Sequence, residues 1–111
     1  MDDDLVVWGR VVRIETRGRV TGRIARATVG FAEQPDGSLL VAAGSPRADW
    51  ALNLLADPRC RTTIGAVRRD ASARPLEGSE HAAAVRELIL KYGTPAEGLG
   101  SGPAFELRPK A

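Results

Sequence analysis

Cysteine, histidine and aromatic residues are scarce in this chain, and each scarcity removes a class of function. One cysteine, Cys60, leaves no internal disulfide and no multi-cysteine zinc site. One histidine, His81, excludes a His-rich metal centre, and no metal site is expected. With no Gly-x-Ser-x-Gly elbow, a catalytic triad is excluded as well. Aromatics are 5% of the residues, which offers little surface for stacking bases, and no nucleic-acid motif occurs. A nucleic-acid partner is therefore not expected. No apolar run approaches the roughly 20 residues that cross a bilayer, so no transmembrane segment is expected. The start, Met1-Asp2-Asp3-Asp4, is acidic and lacks the basic region of a signal peptide. A cytoplasmic address is expected, with residues 1–4 as a disordered, solvated tail.

What is present is the composition of a soluble globular protein, 43% hydrophobic and 27% charged. A chain of 111 residues makes one domain, spanning 1–111. The net charge is only +2, but it is unevenly placed. Arg10, Arg13, Arg17, Arg19, Arg23 and Arg26 face a single acid, Glu15, in one short stretch. Arginine outnumbers lysine 14 to 2, part of which a GC-rich genome would explain. Guanidinium forks suit phosphate and carboxylate, so the stretch reads either as an anion site or as a solvated strand face.

The hydrophobic pattern predicts strands over 5–16 and 24–33, joined by a turn at 17–22 into a hairpin with an Arg-rich tip. Gly9 would be a bulge in the first strand. Pro35-Asp36-Gly37-Ser38 predicts a turn, and Leu39 to Ala43 a third, short strand. Ser45-Pro46 reads as a helix start, with termination at Asp57-Pro58. Arg61–Ile64 and Val67–Leu76 read as two more strands meeting near Gly65. Ser79 is placed to cap a second helix over 80–92, with Ala82, Val85, Ile89 and Tyr92 on its inner face and Gly93 just past its end. Residues 93–103 read as a loop and Phe105–Leu107 as a last strand. The order β-β-β-α-β-β-α-β, joined by tight turns, predicts an α+β, mainly β fold: about six mostly antiparallel strands with two helices, closing as a small barrel.

Three segments carry candidate binding chemistry. Gly18-Arg19-Val20-Thr21-Gly22-Arg23 is a glycine-framed turn in which backbone N–H groups and arginines can meet an anion. Ala43-Gly44-Ser45-Pro46 leads a strand into a helix N-terminus, where free N–H donors can meet phosphate. Asn53 lies one helical turn from Trp50, and it is either a surface residue or a placed hydrogen-bonder. Arg19 and Arg23, set around Gly18 and Gly22, are expected to grip an anion, and loss of Arg19 is expected to leave the fold intact because a hairpin tip buries little. Cys60 reads as a buried structural thiol and His81 as a surface or boundary residue.

The run Thr16-Arg17-Gly18-Arg19-Val20-Thr21-Gly22-Arg23, followed by Asp49-Trp50-Ala51-Leu52-Asn53-Leu54-Leu55-Ala56-Asp57-Pro58 and closed by Phe105-Glu106-Leu107-Arg108-Pro109, resembles the deazaflavin-dependent nitroreductase family over about residues 10–109. The resemblance implies a split β-barrel that binds coenzyme F420, an 8-hydroxy-5-deazaflavin with a phosphate and an oligoglutamate tail. It implies hydride transfer between that cofactor and a small acceptor such as a quinone or nitroaromatic. By position it places Arg19, Thr21, Gly22 and Arg23 on the phosphate and tail. It sets Ala43, Gly44 and Ser45 beside the ring, with Trp50 and Asn53 next to the site. The chain departs from the family pattern at Val20, where lysine is usual, at Ala25, where arginine is usual, and in a shortened 43–50 turn. Those departures favour an alternative on the same barrel, a non-enzymatic protein that binds FMN, haem or lipid. Small split barrels often pair, so a homodimer is also expected.

Overall fold

The computed structural model describes residues 11–92 and 101–110. The tail at 1–4, the strand start at Leu5, Gly9, Gly93 and most of the expected loop lie outside the described residues. Among the described residues, seven strands and two helices run in the order β1 (Val12–Arg17), β2 (Ile24–Val29), β3 (Ala32–Glu33), β4 (Leu39–Ala42), α1 (Asp49–Ala56), β5 (Arg59–Ile64), β6 (Val67–Leu76), α2 (Gly78–Tyr92) and β7 (Ala104–Pro109). The strands form one sheet in the order β2-β1-β5-β6-β7-β4-β3. Every pairing is antiparallel. The sheet curls into a half-barrel whose end strands, β2 and β3, do not pair with each other. The expected α+β, mainly β split barrel is thus the fold. Its seventh strand arises because the predicted 24–33 strand breaks at Gly30 and Phe31.

Alternation along β1 builds the barrel interior. Val12, Ile14 and Thr16 are buried, while Arg13, Glu15 and Arg17 point the other way. On that outer face the register sets Arg26, Glu15, Arg61 and Asp70 in one row across β2, β1, β5 and β6, alternating in sign. Glu15 sits between Arg68 at 3.4 Å and Arg26 at 4.0 Å. Much of the Arg-rich stretch is therefore a paired strand face.

β4 is buried on both sides, which accounts for its unbroken apolar sequence. Leu39 and Val41 join Val12, Ile14, Leu54, Phe105 and Leu107 inside the barrel under α1. Leu40 and Ala42 join Leu76, Ala84, Val85 and Leu88 under α2. The buried stripe of α2 is centred on Ala84, Val85 and Leu88, with Ile89 and Tyr92 partly buried. Ala82, expected inside, is exposed, because α2 rolls toward Leu40 and Ala42. The helix opens at Gly78, and the Glu77 carbonyl accepts from the N–H groups of Glu80 and His81.

The far end of α2 is locked to the β2–β3 corner. The Tyr92 hydroxyl accepts from Phe31 N–H at 2.9 Å and donates to the Phe31 carbonyl at 3.1 Å. The Lys91 ammonium donates to the same carbonyl at 2.7 Å and lies 3.9 Å from the Phe31 ring centroid. A Cβ on Gly30 would stand 2.9 Å from the Tyr92 ring, which explains the break in the predicted strand. Gly30→Ala is expected to lower the unfolding free energy by roughly 1–3 kcal/mol, as overpacking does. Urea denaturation with an unchanged midpoint would show that the ring is free to move.

At the other helix end, Asp57 accepts from the Arg59 N–H at 3.1 Å and from its guanidinium at 2.9 Å. These bonds hold the carboxyl at about 2, below its ordinary 3.8. A carboxyl lowered on folding stabilises the native state above its unfolded value, and that stabilisation is lost as pH falls through the folded value. Native stability is therefore expected to fall between pH 3.8 and about 2 through this group. Chemical denaturation across that range should give a shallower decline for Asp57→Asn.

Candidate functional site

The β1–β2 tip folds as its glycines require. Gly22 has φ 75°, and a Cβ on Gly18 would press on the Arg23 carbonyl at 3.0 Å. Gly18 N–H donates to that carbonyl at 2.7 Å, and Gly22 N–H to the Gly18 carbonyl at 2.8 Å. The tip does not stand free in solvent. Arg19 N–H donates to Asn53 Oδ1 at 3.1 Å, and the Arg19 guanidinium donates to the same oxygen at 2.7 Å. The guanidinium also reaches the Asp49 carboxylate at 3.1 Å and the Asp49 carbonyl at 3.4 Å. Asn53 is buried and donates from Nδ2 to Thr16 Oγ1 at 3.1 Å, itself buried. Thr16, Asn53, Arg19 and Asp49 thus form one chain of hydrogen bonds joining β1, α1 and the tip.

The tip buries little, as expected, with residues 19–26 exposed, but these bonds tie it to α1. Asn53 is the placed hydrogen-bonder of the two readings, and its amide is fully engaged inside the protein. Arg19 is a clamp across two elements, so its loss is expected to affect the fold. Thr21 Oγ1 accepts the Arg23 N–H at 3.2 Å. Thr21 and Arg23 are exposed, and the Arg23 guanidinium has no partner among the described residues. Trp50 turns inward, with its ring 5.9 Å from that of Phe105.

Helix α1 begins at Asp49, with Ala48 as an N-cap that makes no side-chain bond, three residues after the expected start. Ser45 closes a turn of its own instead. Its hydroxyl accepts from Arg47 N–H at 3.1 Å, and its carbonyl from Ala48 N–H at 3.3 Å. The first turn of the helix then carries an acid, Asp49, held by Arg19. Gly44 and Ser45 are exposed, while Ala43 is buried and donates its N–H to the Pro103 carbonyl at 2.8 Å. Gly102 lies hard against this segment. A Cβ there would clash with the Ala43 carbonyl and stand 2.8 Å from that of Ser45. His81, half-buried, bonds the Gly102 carbonyl through Nε2 at 2.8 Å. Arg47, exposed beside the first turn of α1, has no side-chain partner among the described residues.

Sequence reasoning missed Thr16, Asp49, Gly102, His81 and Arg47. Thr16 and Asp49 stood inside the quoted motifs, and the inward phase of Ile14 and Thr16 was the signal for the first. Gly102 and His81 meet only through the tertiary fold. Cys60 is buried, and burial pushes its thiol up to about 11, so it stays neutral. No helix among the described residues is long and apolar enough to cross a membrane.

The family model described as F420H(2)-dependent quinone reductase matches residues 7–95. A solved F420-H2 dependent reductase, FDR-A, aligns with a TM-score of 0.75 and 24% identity over 89% of this chain and 94% of that one. A chain solved as a domain-swapped dimer aligns at 0.74 and 22% identity over 96% and 92%. HutZ, a haem storage protein from Vibrio cholerae, aligns at 0.74 and 18% identity over 98% and 87%. No match is found among the curated proteins. At these identities the solved structures show the fold alone.

Asn53→Ala strips a buried hydroxyl and a cation of their partner, and is expected to cost roughly 1–3 kcal/mol of stability. Arg19→Ala should be destabilising in the same urea titration. An Arg19→Ala midpoint equal to wild type would show that Arg19 is a free surface cation after all.

Proposed function

We propose a function from one premise: the chain belongs to the F420H(2)-dependent quinone reductase family. On that reading it is an oxidoreductase that holds coenzyme F420 at the α1 end of the barrel and passes a hydride to a small acceptor of the quinone or nitroaromatic type. The observation that carries the reading is the Arg23 guanidinium, unpaired on a glycine-framed tip among residues that the family matches.

The donor chemistry of this end fits a group that ends in phosphate and carboxylates. Arg23 and Arg47 offer two unspent guanidinium forks. Arg19, which the sequence pointed to as the first anion contact, serves by anchoring the tip to α1. Thr21 and Gly22 shape the turn that presents Arg23. Ala43, Gly44 and Ser45 supply a wall of small side chains, pressed into place by Gly102 and backed by His81. Trp50 and Asn53 support the site from beneath. When bound, the deazaflavin supplies the hydride chemistry, and the chain supplies position and charge. This agrees with a sequence in which no catalytic acid or nucleophile stands out.

A haem-binding role is less well supported. The histidine ring is already anchored to Gly102, Cys60 is buried, and the Tyr92 hydroxyl is bonded to Phe31. We include a homodimer in the proposal, supported by the domain-swapped relative and by Ile24, 55% exposed on the end strand β2.

Fluorescence titration of the purified chain with coenzyme F420 is expected to show saturable binding. Arg23→Ala should weaken it about tenfold, the scale of one charge-assisted hydrogen bond, with stability unchanged. Reduced cofactor should then be consumed on addition of menadione or a nitroaromatic. Binding of FMN or haem in place of the deazaflavin would overturn the proposal in favour of a ligand-binding barrel.

A further inference from the structure

The end of the barrel away from the tip holds a cavity of about 280 Å3. Phe31, Leu39, Ile64 and Val67 form its apolar wall, and Arg69 and Glu33 also line it. Arg69 is out of pattern there. Directly opposed residues of neighbouring strands share a face of the sheet. Ile14, fully buried in the core, opposes Thr62, and Thr62 opposes Arg69. On that face β6 carries Val67, Arg69, Ala71 and Ala73; Ala71 and Ala73 are buried in the core, while Val67 and Arg69 run past its end and are exposed at the cavity.

Arg61, Arg68, Arg74 and Arg108, which stand on the same strands, are each bonded to an acid. Arg69 has no acid within salt-bridge distance among the described residues, and neither does Glu33 a cation. A cavity with an apolar wall on one side and a single unspent cation among its polar groups has the make-up of a small-molecule site.

We propose that this cavity is a second ligand site, distinct from the α1 end, which takes a small aromatic monocarboxylate with its ring inside and its carboxylate on Arg69. The volume agrees, since a cavity of ~150 Å3 holds benzene and this one has room for a second fused ring. Glu33 sets the limit on charge: a carboxylate in the lining disfavours a second negative group on the ligand. β7 ends opposite Ala71, so the mouth opens beside Arg69.

The test is an NMR titration of the full chain, without any deazaflavin, using 2-naphthoate and the neutral 2-naphthalenemethanol. Failure of the proposed cofactor reading would leave its outcome unaffected. Saturable shifts at Thr62, Ile64 and Val67 are expected, with the acid about fivefold tighter than the alcohol, the upper range for an exposed ion pair. Arg69→Gln should abolish that preference and leave the thermal midpoint unchanged. Glu33→Gln should tighten the acid about twofold. Equal affinity for acid and alcohol, shifts confined to the α1 end, or an unchanged preference in Arg69→Gln would overturn the proposal. The last result would mean that Arg69 only guards the free edge of β6.

Discussion

A buried asparagine holds the β1–β2 tip and α1 of this molecule together. Asn53 cannot sit on the buried face of α1 with its amide unpaired, because a buried polar group without partners costs more than a hydrogen bond returns. Its oxygen takes two donors from Arg19 and its nitrogen donates to Thr16. The three bonds fix how far the β1–β2 tip leans over α1. Everything proposed for that end depends on this angle: which arginine is spent, which one faces solvent, and where the segment before α1 lies relative to the tip.

The opposite corner relies on a different device. There Tyr92 and Lys91 share the backbone of Phe31, and Gly30 makes room for the ring. The two locks sit at opposite ends of the half-barrel, which has no pairing between its end strands to close it. Helix α2 takes the place of that missing pairing by packing on β4 from outside while the barrel interior packs on it from within.

The strands were legible because they obey a period of two and end in glycine and proline. The tip was legible as a shape, since two glycines in six residues demand a tight turn, but not as a contact. Nothing local says that Arg19 will reach a residue more than thirty positions away. Ser45 misled for a related reason. A serine before proline fits a helix cap, but the same hydroxyl satisfies its own chain two residues on, and the helix waits for Asp49. The face of α2 was misjudged by one flank because its stripe is wide and its centre is set by the strands beneath it. Arg69 was invisible for a plainer reason: in sequence it is one more charged residue in a charged strand, and only the register puts it on the cavity side of the sheet.

The arrangement of Arg74 bears on the chain's preference for arginine over lysine. Its guanidinium reaches Glu80 on α2 at 2.9 Å and the buried Glu106 on β7 at 3.5 Å, so one side chain staples a helix to two strands. Arg19 does the same between the tip and α1. A lysine ends in a single compact charge and cannot present separate edges to two acceptors on different elements. Mutational drift toward lysine is therefore closed at these positions whatever the base composition of the genome. Lineages of this barrel should retain planar cations at its joints even where the rest of the surface is free to exchange one basic residue for another.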